Sequence, residues 1–544
     1  MSNLNPIFPV VSRIYSQSGG IAVFALGVMF ASGAWAQETA LVATGATSSF
    51  AINGFELTGD IPLKEQDTTR VLAPFIGPNA NLETLQKATS ALEFELKAKG
   101  YALHRVSLPP QEVGDKVTLN IVKFVIGKVE VQGNSRYSEA NIRASVPEIQ
   151  AGDAPNFQVL AVQTTIANEN PGKQLQVSLK ESEEADKIDV KLQVKESAPW
   201  NFSTSLANTG SESTGRDRLS LVAGHSNLFD LDHQLSAAYT SSVERSNDVK
   251  QVGLNYRIPL YKQGGVVALS YTNSDVVGNF GTFTSSGAGQ TMGVLYSHYL
   301  PPAGGRRTYL SIGLDDKVFN ATKINGVTVA GQLDRGSRPL TLGFTARIES
   351  DSAVWGYNAE FATNVPGSSG NNLVAYKTED SRIDGVNWTA LRGGGNCLAA
   401  FGVGWLWSAR GQFQFSSVAL ISGEQFGLGG SSSVRGTGER VISGDSGVAG
   451  TVEVSTPELV SGLRLVGFLD AGWLRSNNTD LNPNKPASDQ LASLGLGVRY
   501  TSGALGLSAE WGRVVNGPAV TGATSATSAK AGDDKLHVNL TARF

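Results

Sequence analysis

Strict alternation of apolar and polar residues recurs through the second half of the chain and limits what that half can fold into. The segment 463–473 is a clear example. One face of this predicted strand carries Leu463, Leu465, Leu469 and Trp473, and the other carries Arg464, Phe468, Asp470 and Gly472. Successive side chains of a strand point to opposite faces. An apolar face opposite a face with buried charge indicates a closed barrel with lipid outside and water inside.

The same alternation predicts how many strands the barrel has. It repeats in segments 252–258, 340–348, 494–500 and 536–544, the last of which ends on Phe544. Sixteen strands are predicted within residues 197–544, starting near residues 199, 217, 233, 248, 265, 290, 306, 338, 353, 386, 405, 448, 463, 491, 504 and 535. An even number is usual for such barrels. The terminal aromatic resembles the membrane-insertion signal of bacterial outer-membrane barrels.

Composition narrows the class of protein further. A chain of 544 residues is expected to form at least two domains. With 44 basic and 48 acidic residues the net charge is −4, which does not indicate a nucleic-acid-binding protein. The body of the chain has no run of about 18 apolar residues, so no membrane-spanning helix is predicted.

The N-terminal residues have the features of an export signal. Arg13 precedes an apolar stretch at 21–29, and the small residues Ala34 and Ala36 flank Trp35 at a suitable cleavage site. We therefore predict a signal peptide over residues 1–36. The small and polar residues 37–49 are predicted to be a flexible lead.

Two small α+β domains are predicted between this lead and the barrel. In the first, 50–124, Asn81 is placed to cap a helix whose apolar residues follow helical spacing up to Gly100, and a strand follows at 117–122. In the second, 125–196, a strand at 127–134 precedes a helix at 138–145 and a closing strand at 187–194. The similar order of elements suggests a tandem repeat.

Short motifs in these domains resemble a known family. The motifs are Gly100-Tyr101, Arg105-Val106, Leu108-Pro109-Pro110-Gln111 and Gly127 to Asn134. They resemble the paired periplasmic POTRA domains of two-partner secretion translocators of the TpsB, or hemolysin-activator, type. The resemblance implies a mainly β fold, with a 16-stranded transmembrane β-barrel preceded by two small α+β POTRA domains.

A long connection within the barrel resembles a second feature of the same superfamily. Residues 418–447 form one predicted loop, with Gly427 to Gly430 followed by Val434, Arg435 and Gly436. In the superfamily this sixth loop folds into the lumen. Its arginine meets the aspartate of a wall motif that corresponds here to Phe468, Asp470 and Gly472.

Two residues near this predicted pair leave alternatives open. Glu453 also faces inward in the predicted barrel and is a possible second acid partner of the arginine. The family places an aromatic residue after the Arg-Gly pair, whereas this chain has Thr437. An aromatic contact at the loop tip is therefore not expected here, although the ion pair is.

The resemblance implies an outer-membrane translocator that exports a large, β-rich partner protein from the periplasm to the cell surface. The POTRA domains would catch the unfolded client, and the outer-membrane lipid and the barrel-assembly machinery would be further partners. The chain has no phosphate-binding loop for a nucleotide. The alternative is an assembly factor that inserts other β-barrels, which would share the loop and wall motifs.

No enzymatic activity, cofactor or metal is predicted. No Ser/His/Asp set with sensible placement emerges, and the single cysteine, Cys397, lies far from any acid–base pair. Only His225, Asp230, Asp232 and His233 have spacing that resembles a metal site, and they fall at a predicted hairpin end. A plain porin would not need the two N-terminal domains.

Overall fold

The computed structural model describes residues 49–518 and 529–544, apart from residues 113, 281, 286, 322, 325 and 326. The predicted signal peptide and all of the predicted lead except Ser49 lie outside the described residues. Among the described residues, no helix is both long enough and apolar enough to span a membrane. The chain divides after Phe124 into two compact units.

The first unit is a small α+β domain. Its elements are β1 (Phe50–Ile52), β2 (Gly54–Gly59), α1 (Glu65–Leu72), β3 (Gly77–Ala80), α2 (Leu82–Ala98), β4 (His104–Ser107) and β5 (Lys116–Lys123). The sheet has the order β2-β5-β4, and β1 pairs separately with β3. As predicted, Asn81 caps α2 by accepting a hydrogen bond from the backbone N–H of Thr84, and Gly100 follows the helix with a φ of 95°. The buried face of α2 packs on alternate residues of β5.

A buried histidine makes the stability of this domain depend on pH. His104 lies in β4 with 3% of its surface exposed, and its Nε2 is 3.7 Å from a carboxylate oxygen of Asp60. Burial lowers the pKa of His104 below its usual 6.5, although the negative charge of Asp60 opposes this effect and Lys123, paired with Asp60, adds to it. The folded domain therefore favours the neutral imidazole.

Acidification is expected to loosen β4. Because the unfolded state takes up a proton near pH 6.5 and the folded state only at lower pH, the stabilisation is complete above that value and is lost as the pH falls through the folded pKa. The protection factors of the β4 amides in the whole protein, which are exchange rates corrected for the intrinsic pH dependence of exchange, should fall between about pH 7.5 and about pH 5. The variant His104→Gln should lose this dependence, whereas an unchanged pH profile would contradict the assignment.

The second unit begins with another α+β domain. Its elements are β6 (Val125–Gln132), α3 (Glu139–Ser145), α4 (Phe157–Asn168), β7 (Lys173–Glu181) and β8 (Lys187–Glu196), with the sheet order β6-β8-β7. The helix predicted at 138–145 is present, with Ser138 as its N-cap. The longer helix α4 was not predicted. Its β-branched residues are poor helix formers, so burial of residues such as Leu160 and Ile166 stabilises it instead.

The rest of the second unit is mainly β-structure. Its first strands are β9 (Trp200–Ala207), β10 (Arg218–Leu228), β11 (His233–Ser242), β12 (Lys250–Leu260), β13 (Gly265–Ser274), β14 (Gly278–Phe280), β15 (Phe283–Ser285), β16 (Gly289–Ala303), β17 (Arg306–Phe319), β18 (Lys323–Ile324), β19 (Val327–Thr328), β20 (Arg335–Ser337), β21 (Pro339–Glu349) and β22 (Ala353–Asn364). Helix α5 (Leu373–Glu379) follows, and then β23 (Thr389–Phe401), β24 (Trp405–Phe415), β25 (Phe426–Leu428), β26 (Ile442–Gly444), β27 (Ser446–Ser455), β28 (Leu463–Arg475), β29 (Ser488–Ser502), β30 (Leu505–Asn516) and β31 (Asp534–Arg543).

These strands close into an antiparallel barrel. The pairs β14–β15, β18–β19 and β25–β26 are small two-stranded sheets that are not part of the barrel sheet. Strands β20 and β21 continue one register against β17, since Ser337 pairs with Lys317 and Leu340 pairs with Leu314. Counted as one interrupted strand, they give sixteen wall strands among the described residues, which confirms the predicted number.

The last strand closes the barrel against the first. Strand β31 pairs with β9 from Asn539 opposite Ala207 to Arg543 opposite Ser203. Phe544 extends the pairing, because its backbone N–H donates to the carbonyl of Phe202 at 2.8 Å. Its side chain is 77% exposed.

The wall has the two faces that the alternation predicts. On β28, Leu465, Leu469 and Trp473 are exposed on the outside, whereas Phe468 and Asp470 are buried inside. The two ends of the barrel differ. Short turns, such as 229–232 and 304–305, connect strands at the end where the second α+β domain attaches, and long connections, including 365–388 and 416–445, lie at the other end.

Candidate functional site: the lumen loop and its ionic anchor

The connection 416–445, between β24 and β27, is packed inside the barrel and is called the lumen loop here. The hairpin β25–β26 gives it a short sheet of its own, with Phe426 opposite Gly444. An apolar cluster attaches it to the wall. This cluster contains Phe426, Leu428 and Val434 from the loop and Ala449, Leu474, Leu491 and Val514 from the wall. The loop is therefore a packed element of the lumen and not an extended surface segment.

Arg435 and Asp470 form a bidentate ion pair inside the barrel. Arg435 Nε donates to Asp470 Oδ2 at 2.8 Å, and Nη2 donates to Oδ1 at 2.7 Å. The backbone N–H of Arg435 also donates to Oδ2, at 3.0 Å. The two side chains are 2% and 0% exposed. This fork-to-fork geometry fixes both the position and the orientation of the guanidinium.

Two further carboxylates complete the surroundings of the guanidinium. Arg435 Nη1 donates to Glu453 Oε1 at 2.6 Å and to Glu510 Oε2 at 2.8 Å. A second arginine, Arg499, bridges the same two acids, with contacts of 3.0 Å to Glu453 and 2.6 Å to Glu510. Charges on four different strands and the loop thus compensate one another, which offsets the cost of burying them.

The aromatic ring of Phe468 stacks against the guanidinium of Arg435. The central carbon of the guanidinium lies 3.4 Å from the centroid of the Phe468 ring. A planar cation stacked on an aromatic face is attracted by the ring electrons, and the contact limits rotation of the side chain. The aromatic residue of the wall motif therefore acts together with its aspartate.

The loop tip touches the wall backbone to backbone. Gly436 has a φ of 89°, and a Cβ placed there would lie 2.7 Å from the carbonyl oxygen of Gly512 on β30. A Cβ on Gly512 would in turn lie 2.7 Å from the nitrogen of Gly436. The N–H of Gly436 donates to His537 Nε2 at 3.1 Å. Glycine is required on both sides of this contact.

Thr437 organises the loop tip by hydrogen bonding. Its hydroxyl contacts the carbonyl of Val434 at 2.9 Å and accepts from the N–H of Gly430 at 3.0 Å. The residue is 4% exposed. The family has an aromatic residue at this position. In this chain the hydroxyl of Thr437 joins the two sides of the tip instead.

A second ionic cluster holds the base of the lumen loop. Glu424 accepts from Lys317 at 3.1 Å, from Arg392 at 2.8 Å and from the hydroxyl of Ser337 at 3.0 Å. Glu424 is 2% exposed. Because these donors belong to separate wall strands, the loop is anchored at its base as well as at its tip.

The structure brings most of the sequence-predicted residues together. Val434, Arg435 and Gly436 form the tip, Asp470 and Phe468 contact the guanidinium of Arg435, and Glu453 accepts a hydrogen bond from its Nη1. Gly472 serves the site by its small size, since a Cβ there would lie 2.5 Å from Leu428. Phe544 lies away from the site, at the barrel seam.

Sequence reasoning missed Glu510, Arg499, Gly512 and His537 as members of the site. The alternation of β29 places Arg499 inside, and that of β31 does the same for His537, so a complete inventory of inward-facing polar residues would have found both. Nothing in the sequence pairs them with Arg435. The Glu424 cluster was also missed.

The residues considered for metal or thiol chemistry have other surroundings. Asp232 is buried against Lys173, and His233 Nδ1 is 2.7 Å from the hydroxyl of Tyr256. Cys397 is buried on β23, opposite Ala409. Within the described part of the chain, no group of three His, Cys, Asp or Glu side chains is arranged to hold a metal ion.

A closed sixteen-stranded barrel, preceded by α+β domains and filled by an arginine-anchored loop, defines the class of POTRA-containing outer-membrane translocators. The family model for the haemolysin secretion/activation proteins ShlB/FhaC/HecB matches residues 186–500, and the model for the ShlB-type POTRA domain matches residues 50–123. The chain belongs to this family.

Individual relatives agree with this assignment. The outer membrane transporter CdiB of Escherichia coli is 24% identical over 470 residues, which cover 84% of this chain and 77% of the relative. CdiB of Dickeya dadantii (strain 3937) is 22% identical over 432 residues, covering 77% of this chain and 75% of the relative. The solved structure of CdiB from Escherichia coli has a TM-score of 0.70 at 20% identity and covers 93% of both chains. That of CdiB from Acinetobacter baumannii has a TM-score of 0.69 at 16% identity, covering 92% of this chain and 91% of its own.

The protein is therefore a two-partner secretion translocator of the bacterial outer membrane, with its POTRA domains in the periplasm. The family is one of transporters that work with a secreted partner protein. The end of the barrel with short turns, next to the second POTRA domain, is accordingly the periplasmic end.

Proposed function

We propose that this translocator exports one large, β-rich partner protein and that the docked lumen loop is the part of the barrel that enables the passage. The bidentate ion pair between Arg435 and Asp470 carries this proposal. It attaches the tip of a glycine-rich loop to the wall of the lumen, opposite the base that Glu424 anchors. A docked loop keeps a defined surface along the pore, against which an extended client can slide.

The POTRA domains are suited to catching such a client. In the first domain β2 and β4 lie at the edges of the sheet, and in the second domain β6 and β7 do. Edge strands present backbone N–H and C=O groups that can pair with an added strand. An unfolded, β-rich client offers such strands repeatedly, whereas a folded protein does not.

Export in this proposal needs no reaction catalysed by the translocator and no cofactor. Folding of the client outside the cell would draw it through the pore. The exposed apolar wall residues would contact outer-membrane lipid, and Phe544 would act as the signal to the barrel-assembly machinery during insertion.

The test is export by the variant Arg435→Ala in cells that produce the partner. We expect secreted partner to fall to background, because the loop loses the cation that all three acids hold. The barrel should still insert, which its heat-modifiable mobility in gel electrophoresis would reveal. The partner to be identified for this test is a large, β-rich exported protein, and the reading frames beside that of the translocator are the place to seek it.

Arg475→Ala is the matched control, since Arg475 is exposed at the end of β28 and its loss should leave export unchanged. Normal export by Arg435→Ala would refute the role proposed for the loop. Failure of other outer-membrane barrels to assemble, with partner export intact, would instead favour an assembly factor.

A further inference from the structure

The first periplasmic turn of the barrel, residues 229–232 between β10 and β11, is called the rim turn here. Its last residue, Asp232, points into the second POTRA domain and is 1% exposed. Lys173 Nζ, at the start of β7, lies 2.5 Å from Asp232 Oδ2 and is itself fully buried. A barrel turn thus supplies the counter-ion for a lysine inside the neighbouring domain.

Hydrogen bonds saturate both ions. Asp232 also accepts from Ser145 at 3.0 Å, from Asn141 at 3.1 Å and from the hydroxyl of Tyr261 at 2.6 Å. Lys173 donates to the side-chain oxygens of Asn141 and Ser145 as well, at 2.7 and 2.6 Å. Burying a charge is costly unless its partners are fixed in place. Opening this joint would separate the two ions and would remove Asp232 from its donors Asn141 and Ser145, which belong to the POTRA domain.

Apolar packing continues across the same joint. The core of the POTRA domain, which includes Leu160 and Ile166 of α4, forms one cluster with Tyr261, Val266 and Tyr299 of the barrel. Such a continuous core is typical of a permanent contact between domains and not of a hinge.

A second polar contact lies at the C-terminal end of α4. Glu169 pairs with Arg257 of β12 and accepts from the hydroxyl of Tyr299 at 2.6 Å. The next residue, Asn170, donates to Asp232 at 3.3 Å, so this contact adjoins the rim turn and extends the joint to β12 and β16.

We propose that Asp232 is a positioning residue that locks the second POTRA domain onto the periplasmic rim, so that domain and barrel move as one body throughout export. The client then passes from this domain into the lumen across a fixed junction. This inference takes from the proposed function only that a partner is exported, and it does not depend on the Arg435 ion pair.

A disulfide across the joint tests whether it ever opens. A Cβ on Gly264, beside β13, would lie 3.2 Å from Cγ1 of Val162 on α4, within reach of a disulfide between Val162→Cys and Gly264→Cys. The φ of Gly264 is 62°, so the cysteine there carries backbone strain, which the single variant Gly264→Cys measures. The oxidised double variant is expected to export the partner as well as the reduced one. Each single variant under the same oxidant is the control. Loss of export on oxidation and recovery on reduction would overturn the proposal, as would failure of the two cysteines to join.

Loosening the joint gives the opposite test. Export by Asp232→Ala should fall at least about tenfold, because Lys173 is left buried without its counter-ion. The matching variant Lys173→Met removes the other ion of the pair. Its control is Lys195→Met, at an exposed position on β8. Adding the Val162–Gly264 disulfide to Asp232→Ala should restore export, which a role in client binding would not predict. Normal export by Asp232→Ala, or export that the disulfide does not restore, would contradict the proposal that Asp232 positions the domain. If Asp232→Ala does not fold, the disulfide in the otherwise unchanged protein remains the test of whether the joint opens.

Discussion

Export by the variant Asp470→Ala is expected to fall by roughly a hundredfold or more, because removal of one partner of a buried ion pair costs about 3–5 kcal/mol. Asp470 accepts three hydrogen bonds from Arg435, one of them from its backbone. Alanine leaves the guanidinium and this N–H without their acceptor. We therefore expect the loop to leave its docked position.

Undocking can be measured apart from export. Val434 is fully buried beside the arginine, so a cysteine introduced there should react with a thiol reagent only when the loop is released. Fast labelling of Val434→Cys in the Asp470→Ala background, and slow labelling of Val434→Cys alone, is the expected result. Asp316→Ala, at an exposed acid of the wall, is the control. Slow labelling together with lost export would show that Asp470 acts otherwise than by holding the loop.

The other acids should rank below Asp470. Glu453 and Glu510 share the same guanidinium nitrogen and are also held by Arg499, so either can replace part of the other's contribution. Export by Glu453→Ala should accordingly lie between that of Asp470→Ala and that of the unchanged protein. Equal defects for the single acid variants would mean that total charge, and not the bidentate geometry, positions the loop.

Gly436→Val is expected to prevent docking of the loop tip as completely as loss of the ion pair. The φ of 89° costs a non-glycine residue roughly 1–3 kcal/mol, and the side chain would also overlap the carbonyl of Gly512. Gly512→Val should produce the same defect from the opposite side of the contact. Both variants keep every charge of the site, so they separate close packing from electrostatics.

Gly438→Ala is the matched control in the same loop. A Cβ there meets its nearest neighbour, Val441, at an ordinary 3.6 Å. Export and Val434→Cys labelling should therefore be unchanged in Gly438→Ala and strongly altered in Gly436→Val. Similar behaviour of the two variants would mean that flexibility of the loop matters, and not the contact with β30.

The period-two pattern was sufficient for the barrel wall. Each predicted strand start falls within three residues of the observed one, because alternation of lipid-facing and lumen-facing residues is imposed by the two solvents and needs no knowledge of neighbours. Helix α4 could not be predicted from periodicity in the same way. It depends on burial against β7 and the barrel rim, although Asn156, which caps it, was a local signal that could have indicated its start.

The sequence by itself therefore determined which face of each strand carries charge, and the resemblance of the loop and wall motifs to those of a known superfamily implied that Arg435 meets Asp470. Only the tertiary structure decided which other residues join them. Glu510, Gly512 and His537 reach the loop tip because the tilt and register of β30 and β31 bring them to its level, and these depend on closure of the whole barrel. The burial of Asp232 in a POTRA domain was decided in the same way. Its ion pair joins Lys173 and Asp232, which are far apart in the chain, and no local sequence pattern around either residue indicates the other.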